Sequence, residues 1–142
     1  MSSMNISELI ERVKLNGPCD PCRMPSSIYD LKSRNHNAGY HYFEPETLRF
    51  FCGRVSDEIW PLPDGSALFV TSEKFKGFRE PDGPRLYLVR IMFREGDVDT
   101  IGEFQQYRSL SGAKRAAQRI SDQVDRMVSH DQTTNHFPHS AV

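Results

Sequence analysis

The segment at residues 85–94 constrains the fold more than any other part of the chain. Every second residue from Tyr87 to Phe93 is apolar, which is the pattern of a β-strand with one buried face. Most of the intervening residues are apolar as well, so both faces of this strand should be covered. The hairpin signal Glu95-Gly96-Asp97 follows directly. We therefore expect a central strand with an antiparallel neighbour after it.

Shorter strands are expected on both sides of this central strand. Residues 67–75 alternate between two apolar faces, and a turn at 81–84 separates them from the central strand. A brief strand begins at Ile59, and residues 98–107 return after the hairpin. Because every connection is short, neighbouring strands should run antiparallel. The pattern predicts an antiparallel β-meander of three to four strands.

Helical spacing of apolar residues marks the two ends of the chain. The stripe over residues 6–13 is stopped by Asn16-Gly17-Pro18, and residues 113–128 keep helical spacing over about four turns, with Ser109 or Ser111 as the N-cap. The closing helix should cover one face of the sheet, and the N-terminal helix or the helix after Pro45 the other. Two shorter helices are expected at 26–34 and from Pro45 to Gly53, with a turn at 35–39.

These elements predict an α+β fold in which the meander packs against the C-terminal helix, with short N-terminal helices. The 142 residues suffice for one domain with a core of its own. The polar stretch after Val128 is typical of a disordered tail. The expected division is a helix with a Cys/Pro loop at 1–25, the α+β domain at 26–128, and the tail at 129–142.

Net charge and the distribution of apolar residues indicate the expected partners and cellular location of the protein. The formal net charge is −1, so no global positive field attracts nucleic acid. Residues 1–15 lack the apolar run of a signal peptide, and no segment approaches the roughly 18 apolar residues of a membrane span. We therefore expect a cytoplasmic protein with free thiols and no membrane partner.

The sharpest spacing pattern is Cys19-x2-Cys22-x13-His36-x4-His41. Two thiolates and two imidazoles suit tetrahedral Zn²⁺. However, Gly39 lies between the histidines and disfavours the continuous helix of a zinc finger. In the competing interpretation the cysteines are loop thiols and the histidines are polar surface residues. No cofactor is assigned, and a redox role for the cysteine pair lacks the strand-to-helix context that it needs.

A basic segment opens the closing helix. The element order and the run Lys114-Arg115 loosely resemble double-stranded-RNA-binding domains, whose last helix contacts phosphate through its basic start. The glycine-rich approach of that class is missing, and Asp122 and Asp125 dilute the charge. A solvated basic helix face is the competing explanation.

A second basic cluster lies beside aromatic residues. Arg49 and Arg54 flank Phe50-Phe51, and interleaved aromatics and arginines can stack nucleic-acid bases. The competing interpretation, which we favour, places the phenylalanines in the core and the arginine heads at the surface. Three further cations follow, namely Lys74, Lys76 and Arg79.

Signals for catalysis are weak. The chain has no glycine-rich phosphate loop and no nucleophile elbow. His41 with Glu44 and Glu46 could form an acid–base set, but nothing supplies a nucleophile or a preorganised anion site. We expect that the protein is not an enzyme.

The most distinctive stretch is residues 35–51, which read Ala-Gly-x-His-x-Phe-x-Pro-x-Thr-x-Arg-Phe-Phe from Ala38 and are followed by Arg54-Val55. Together with the strands and the alanine-rich helix, this stretch resembles a family of small uncharacterised proteins of bacteriophages and mobile elements, over residues 27–121. The resemblance implies no activity. It implies an accessory protein in the host cytoplasm that binds a host or phage protein and inhibits a host defence or enzyme.

Two classes of partner therefore stay open, namely a protein and a nucleic acid. Charged residues beside apolar runs are either members of structural ion pairs or contact points, which brings Arg90 into the candidate set. The candidate binding residues are His41, Arg49, Arg54, Arg90, Lys114 and Arg115.

Overall fold

The computed structural model describes residues 3–50, 53–74, 84–103 and 106–140. They form the predicted α+β fold, with one sheet and helices on both of its faces. The helices and strands, in chain order, are β1 (Ser3–Met4), α1 (Ile6–Asn16), α2 (Ile28–Asn37), α3 (Pro45–Phe50), β2 (Arg54–Pro61), β3 (Ala67–Lys74), β4 (Arg85–Met92), β5 (Val98–Ile101) and α4 (Leu110–Ser140).

The sheet has five strands in the order β1-β5-β4-β3-β2. Strands β2 to β5 are the predicted antiparallel meander. The short β1 adds a parallel edge beside β5, which two residues of sequence could not signal. Strand β4 pairs with β3 along its whole length, from Ala67↔Met92 to Lys74↔Arg85. Leu88 to Met92 are buried, so the prediction of a central strand with two covered faces is confirmed.

Helices α1 and α4 pack together on one face of the sheet. Leu9 and Val13 of α1 and Ala116 and Val124 of α4 belong to the same buried cluster as Ile91 of β4. Burial of such side chains contributes about 1.5–3 kcal/mol for each large aliphatic residue. The N-terminal helix is therefore beside the closing helix, so of the two helices considered for the opposite face this one does not cover it.

Helix α1 is held on this face by Arg12. Its guanidinium carbon lies 3.3 Å from the ring centroid of Phe93, at a distance typical of a cation–π contact. The same guanidinium reaches the carboxylates of Glu95 at 3.3 Å and Asp97 at 3.5 Å. The N-terminal helix is thereby connected to the β4–β5 hairpin, because two carboxylates and one aromatic ring of the hairpin contact the Arg12 guanidinium.

The opposite face is covered by α2 and by the aromatic residues just before α3. Ile28 and Leu31 of α2 are buried with Phe69 of β3, and Tyr42 and Phe43 pack against that cluster. The ring centroids of Phe43 and Phe69 lie 5.3 Å apart. The second covering layer is thus supplied by α2 and the Tyr42-Phe43 pair.

Strand β2 begins at Arg54, ahead of the predicted Ile59, and three further boundaries differ from the sequence prediction. Helix α2 continues to Asn37 through the predicted turn at 35–39, because the buried Asn35 side chain donates to the Gly96 carbonyl at 2.8 Å and accepts from the Tyr42 N–H at 2.6 Å. Such tertiary bonds override a weak local propensity. Strand β5 ends at Ile101, before the predicted 107, and α4 extends to Ser140, into the range predicted as a tail. No helix among the described residues has both the length and the apolarity needed to cross a membrane.

Candidate functional site

The structure disperses the six predicted binding residues. Arg54 and Lys114 line one groove, and Arg115 lies on the exposed side of α4. His41 lies between α2 and α3, on the other face of the sheet. Arg49 lies in α3, but its side chain, like residues 51, 76 and 79 of the predicted aromatic-basic cluster, is outside the described part of the structure. The sixth residue, Arg90, is buried.

Arg90 belongs to a buried polar network in the sheet. The side chains of Arg90 and Glu73 are both 8% exposed, and the Arg90 Nη2 to Glu73 Oε1 distance is 2.8 Å. The guanidinium also donates to the hydroxyls of Thr71 and Thr100. All of these groups lie on β3, β4 or β5, so Arg90 belongs to an ion-pair network within the sheet. Because its side chain is buried, Arg90 is not accessible to a partner.

Tyr42 covers this network from the α2 side. The Arg90 guanidinium carbon lies 5.8 Å from the centroid of the Tyr42 ring. Burial raises the pKa of the Tyr42 hydroxyl above its ordinary value, while the Arg90 charge and a hydrogen bond with Thr71 act in the opposite direction. The loop that carries His41 is therefore anchored directly on the buried ion pair.

A groove of about 590 Å³ opens where β2, β3 and β4 meet the start of α4. Lys114 Nζ lies 3.7 Å from Glu58 Oε2 across it. Arg85 donates to the Ser72 carbonyl at 3.2 Å and to its hydroxyl at 2.9 Å. The groove is lined by Arg54, Val55, Ser56, Asp57, Glu58, Val70, Ser72, Arg85, Tyr87, Leu110 and Lys114.

The charge in the groove is mixed. The groove is lined by three cationic side chains, Arg54, Arg85 and Lys114. Two carboxylates of β2, Asp57 and Glu58, line it as well. Leu110 adds an apolar side chain that is 39% exposed. A phosphate backbone favours an excess of cations, whereas protein surfaces present both signs and apolar groups. The groove therefore combines cations, carboxylates and an exposed apolar side chain.

The adjacent exposed side of α4 repeats this mixed character. Arg115, Arg119 and Arg126 line a shallow hollow of about 660 Å³ together with Asp122 and Asp125. Burial, and the neighbouring Asp122 charge, raise the pKa of the Asp125 carboxyl above its ordinary value. The predicted basic helix face is therefore interrupted by carboxylates, which favours the interpretation of a solvated helix surface.

The open edge of β2 is protected against pairing with another strand. β2 is the outermost strand, and its register shifts between Val55 and Ile59. The strand also carries the exposed charges of Arg54, Asp57 and Glu58 and ends at Pro61. Bulges, charges and prolines at an edge prevent strand addition. A partner of this region would therefore contact side chains in the groove and leave the strand edge unpaired.

A second candidate site lies where α2, the loop after it and α3 meet. His36 is in the last turn of α2, His41 is in the loop, and Glu44 directly precedes α3. Nδ1 of His36 lies 3.1 Å and Nδ1 of His41 lies 3.5 Å from Oε1 of Glu44. The two imidazole rings meet edge to face, with centroids 5.3 Å apart. The sequence indicated the pairing of His41 with Glu44 and, through the zinc spacing pattern, of His36 with His41, and the fold brings all three side chains together.

The structure does not assemble the predicted Cys19, Cys22, His36 and His41 set. Among the described residues, the one group of three or more candidate ligands in mutual reach is His36, His41 and Glu44. Cys19 is held at the β2–β3 turn by a 2.8 Å bond from its N–H to the Pro63 carbonyl. Because this turn fixes the cysteine loop, Cys19 and Cys22 do not join the two histidines in one ligand group among the described residues.

The comparisons with known proteins identify the family of this chain. Residues 27–118 match the Family of unknown function (DUF7447). The chain belongs to this family. The match runs from the start of α2 into α4, so the DUF7447 segment contains both the groove and the His36–Glu44 cluster and leaves out the cysteine pair. No curated protein and no solved structure matches the chain.

The family assignment confirms part of the sequence resemblance. The span of the match is close to the predicted 27–121, and the family is one of unknown function. Its origin in bacteriophages or mobile elements stays a prediction. The groove residues Arg85, Tyr87 and Leu110 were not predicted as site residues, because each has an ordinary strand or helix-start pattern in the sequence.

Proposed function

We propose that this DUF7447 protein is an accessory protein of the bacteriophage or mobile-element type that works as a small interaction module. Its partner is a host protein, which it inhibits by occupying a functional surface, either on a defence protein or on another host enzyme. The resemblance of residues 35–55 to small phage proteins supports the context. The mixed-charge groove between β2 and α4 supports binding to a protein.

The groove carries the proposal. Its cations come from β2, β4 and α4, its two carboxylates come from β2, and the exposed Leu110 side chain lines it as well. Interfaces of this kind combine an apolar centre with a charged rim, and complementary charges determine the specificity and the rate of association. The charged groups of Lys114 and Glu58 lie 3.7 Å apart in the groove. A partner with a carboxylate and a cation at a similar spacing can therefore form ion pairs with both of them.

The alternative partner is a nucleic acid bound through Lys114 and Arg115. Lys114 is engaged with Glu58, and Asp122 and Asp125 follow Arg115 on the same side of α4. A phosphate backbone would have to approach these carboxylates, which costs electrostatic free energy. The described surface thus favours the protein partner, and the nucleic acid is one outcome of the test.

The test is affinity capture from host extract with a groove variant. Wild type, the double variant Arg54→Glu/Lys114→Glu, and the charge-matched control Arg23→Glu/Arg94→Glu are immobilised in parallel. Arg23 and Arg94 are exposed and lie outside the groove, so the control has the same change in net charge.

The proposal expects one stoichiometric protein partner that survives nuclease treatment. Wild type and the Arg23/Arg94 control retain it, and the groove variant loses it by about tenfold or more, since reversed rim charges slow association and repel the matching groups. The purified partner should lose activity when wild type is added. A complex that disappears with nuclease, or one that the groove variant retains fully, would contradict the proposal.

A further inference from the structure

Three side chains with metal-binding atoms converge beside α2. The ligand atoms of His36, His41 and Glu44 all lie within 4.8 Å of one another. Both Nδ1 atoms approach the same carboxylate oxygen, at 3.1 and 3.5 Å. Donors bound at about 2.0–2.1 Å to one tetrahedral zinc ion are separated by about 3.3 Å. Two edges of the cluster therefore already have the spacing of a coordination shell.

The backbone of His41 is fixed in an unusual conformation. Its φ of 57° lies in the left-handed region, which costs a residue with a side chain about 1–2 kcal/mol. The Thr47 hydroxyl donates to the His41 carbonyl at 3.3 Å, and the Asn35 side chain accepts from the next N–H along the chain. Both hydrogen bonds hold the peptide group that follows His41. Strained residues of this kind concentrate at ligand sites.

The donor set indicates which ion the cluster would take. Two imidazole nitrogens and one carboxylate oxygen suit zinc and similar transition metals, whereas magnesium and calcium take oxygen ligands. The side chains of His36, His41 and Glu44 are 64%, 56% and 42% exposed, so one side of the cluster is open. His36 and Glu44 also border a cleft of about 360 Å³ that Phe43 lines.

We propose that His36, His41 and Glu44 bind one zinc-class divalent cation and leave one coordination position open. In the free protein this position takes water, and a nitrogen or oxygen donor of a ligand can replace it. In this site the Glu44 carboxylate is the third ligand, and the two cysteine thiolates of the sequence pattern take no part. The site lies on the α2 face of the sheet and is independent of the proposed function of the groove.

Cobalt substitution tests the site with a spectroscopic signal that identifies the donors. The full chain is stripped of metal and titrated with Co²⁺, followed by competition with Zn²⁺. The proposal expects one ion per chain and the visible bands of a nitrogen–oxygen site without a thiolate charge-transfer band. The variants His41→Asn and Glu44→Gln should bind at least about 100-fold more weakly, since loss of an outer partner of a ligand alone costs 10–100-fold.

The choice of His41→Asn separates loss of metal from loss of folding. Asparagine tolerates the left-handed region, so circular dichroism and thermal melting should show an intact fold. Two controls keep the proposed ligands and remove the other donors. They are Cys19→Ser/Cys22→Ser and His130→Ala/His136→Ala/His139→Ala.

Each arm gives a decisive result. Retained binding in both controls, together with loss in His41→Asn and Glu44→Gln, supports the site. Loss of the ion in the cysteine variant would restore the thiolate set, and loss in the triple-histidine variant would assign binding to the C-terminal segment. Either result, or the lack of saturable binding to wild type, would overturn the proposal.

Discussion

The buried pair of Arg90 and Glu73 allows a quantitative prediction about stability. Arg90→Ala removes the cation and leaves the Glu73 carboxylate buried, with the Thr71 and Thr100 hydroxyls deprived of their donor. Removing one partner of a buried ion pair costs about 3–5 kcal/mol. At about 3 °C per kcal/mol for a domain of this size, the melting temperature should fall by roughly 10–15 °C.

Urea denaturation of four variants measures the prediction. Arg54→Ala, which removes an exposed side chain, should change the free energy of unfolding by less than about 0.5 kcal/mol. The double variant Glu73→Leu/Arg90→Ala should be more stable than Arg90→Ala, since it leaves no unpaired buried charge. Glu73→Leu completes the cycle. A cost below about 1 kcal/mol for Arg90→Ala, or a double variant as costly as the two single variants together, would refute the reasoning.

The other predictions concern the loops that hold the α2 face. Asn35→Ala should cost roughly 2–4 kcal/mol in urea unfolding, because two backbone groups lose their partner. Gly96→Ala should lower the free energy of unfolding by about 2–4 kcal/mol, since its new Cβ would lie 2.6 Å from the Ala38 side chain. In the matched variant Gly39→Ala the new Cβ meets no atom within 4 Å, so the loss should be only about 1–2 kcal/mol, from the left-handed backbone alone. The free energy of unfolding of the wild type should fall as pH rises above about 10, because burial raises the folded-state pKa of Tyr42 and the unfolded tyrosine ionises first. In Tyr42→Phe the free energy of unfolding should depend less on pH in this range. Equal costs for the two glycine variants, a neutral Asn35→Ala, or an unchanged alkaline slope would contradict these arguments.

The strands of the meander could be predicted because each one has a local signal. The alternation around Val89 and the glycine turn at Gly96 are short-range patterns, and antiparallel hairpins are built from such patterns. The position of α1 could not be predicted in this way. Its apolar stripe fits either face of the sheet, and the contacts of Arg12 with Phe93 and Asp97 that decide between the faces join residues far apart in the chain.

The candidate sites divide along the same line. Nothing near Arg90 in the sequence distinguishes a buried ion-pair member from a surface contact, because its partner Glu73 is on another strand. The zinc pattern failed for a related reason: spacing alone cannot show that Cys19 is held at the turn beside Pro63. The pairings of His41 with Glu44 and of His36 with His41 were within reach of local reasoning, since these residues are only three and five positions apart.

The distinctive segment at residues 35–54 can now be separated into structural and unexplained parts. Among the described side chains of this segment, packing accounts for Asn35, which bridges two backbone groups, and for Phe43, which lies against the sheet. His41 and Glu44 are different, because their side chains are about half exposed and no burial explains why an imidazole occupies a left-handed position. An asparagine or glycine would fit that backbone with less strain. The His41 imidazole contacts the carboxylate of Glu44, at 3.5 Å, and this contact is what the metal titration of the His41 and Glu44 variants tests.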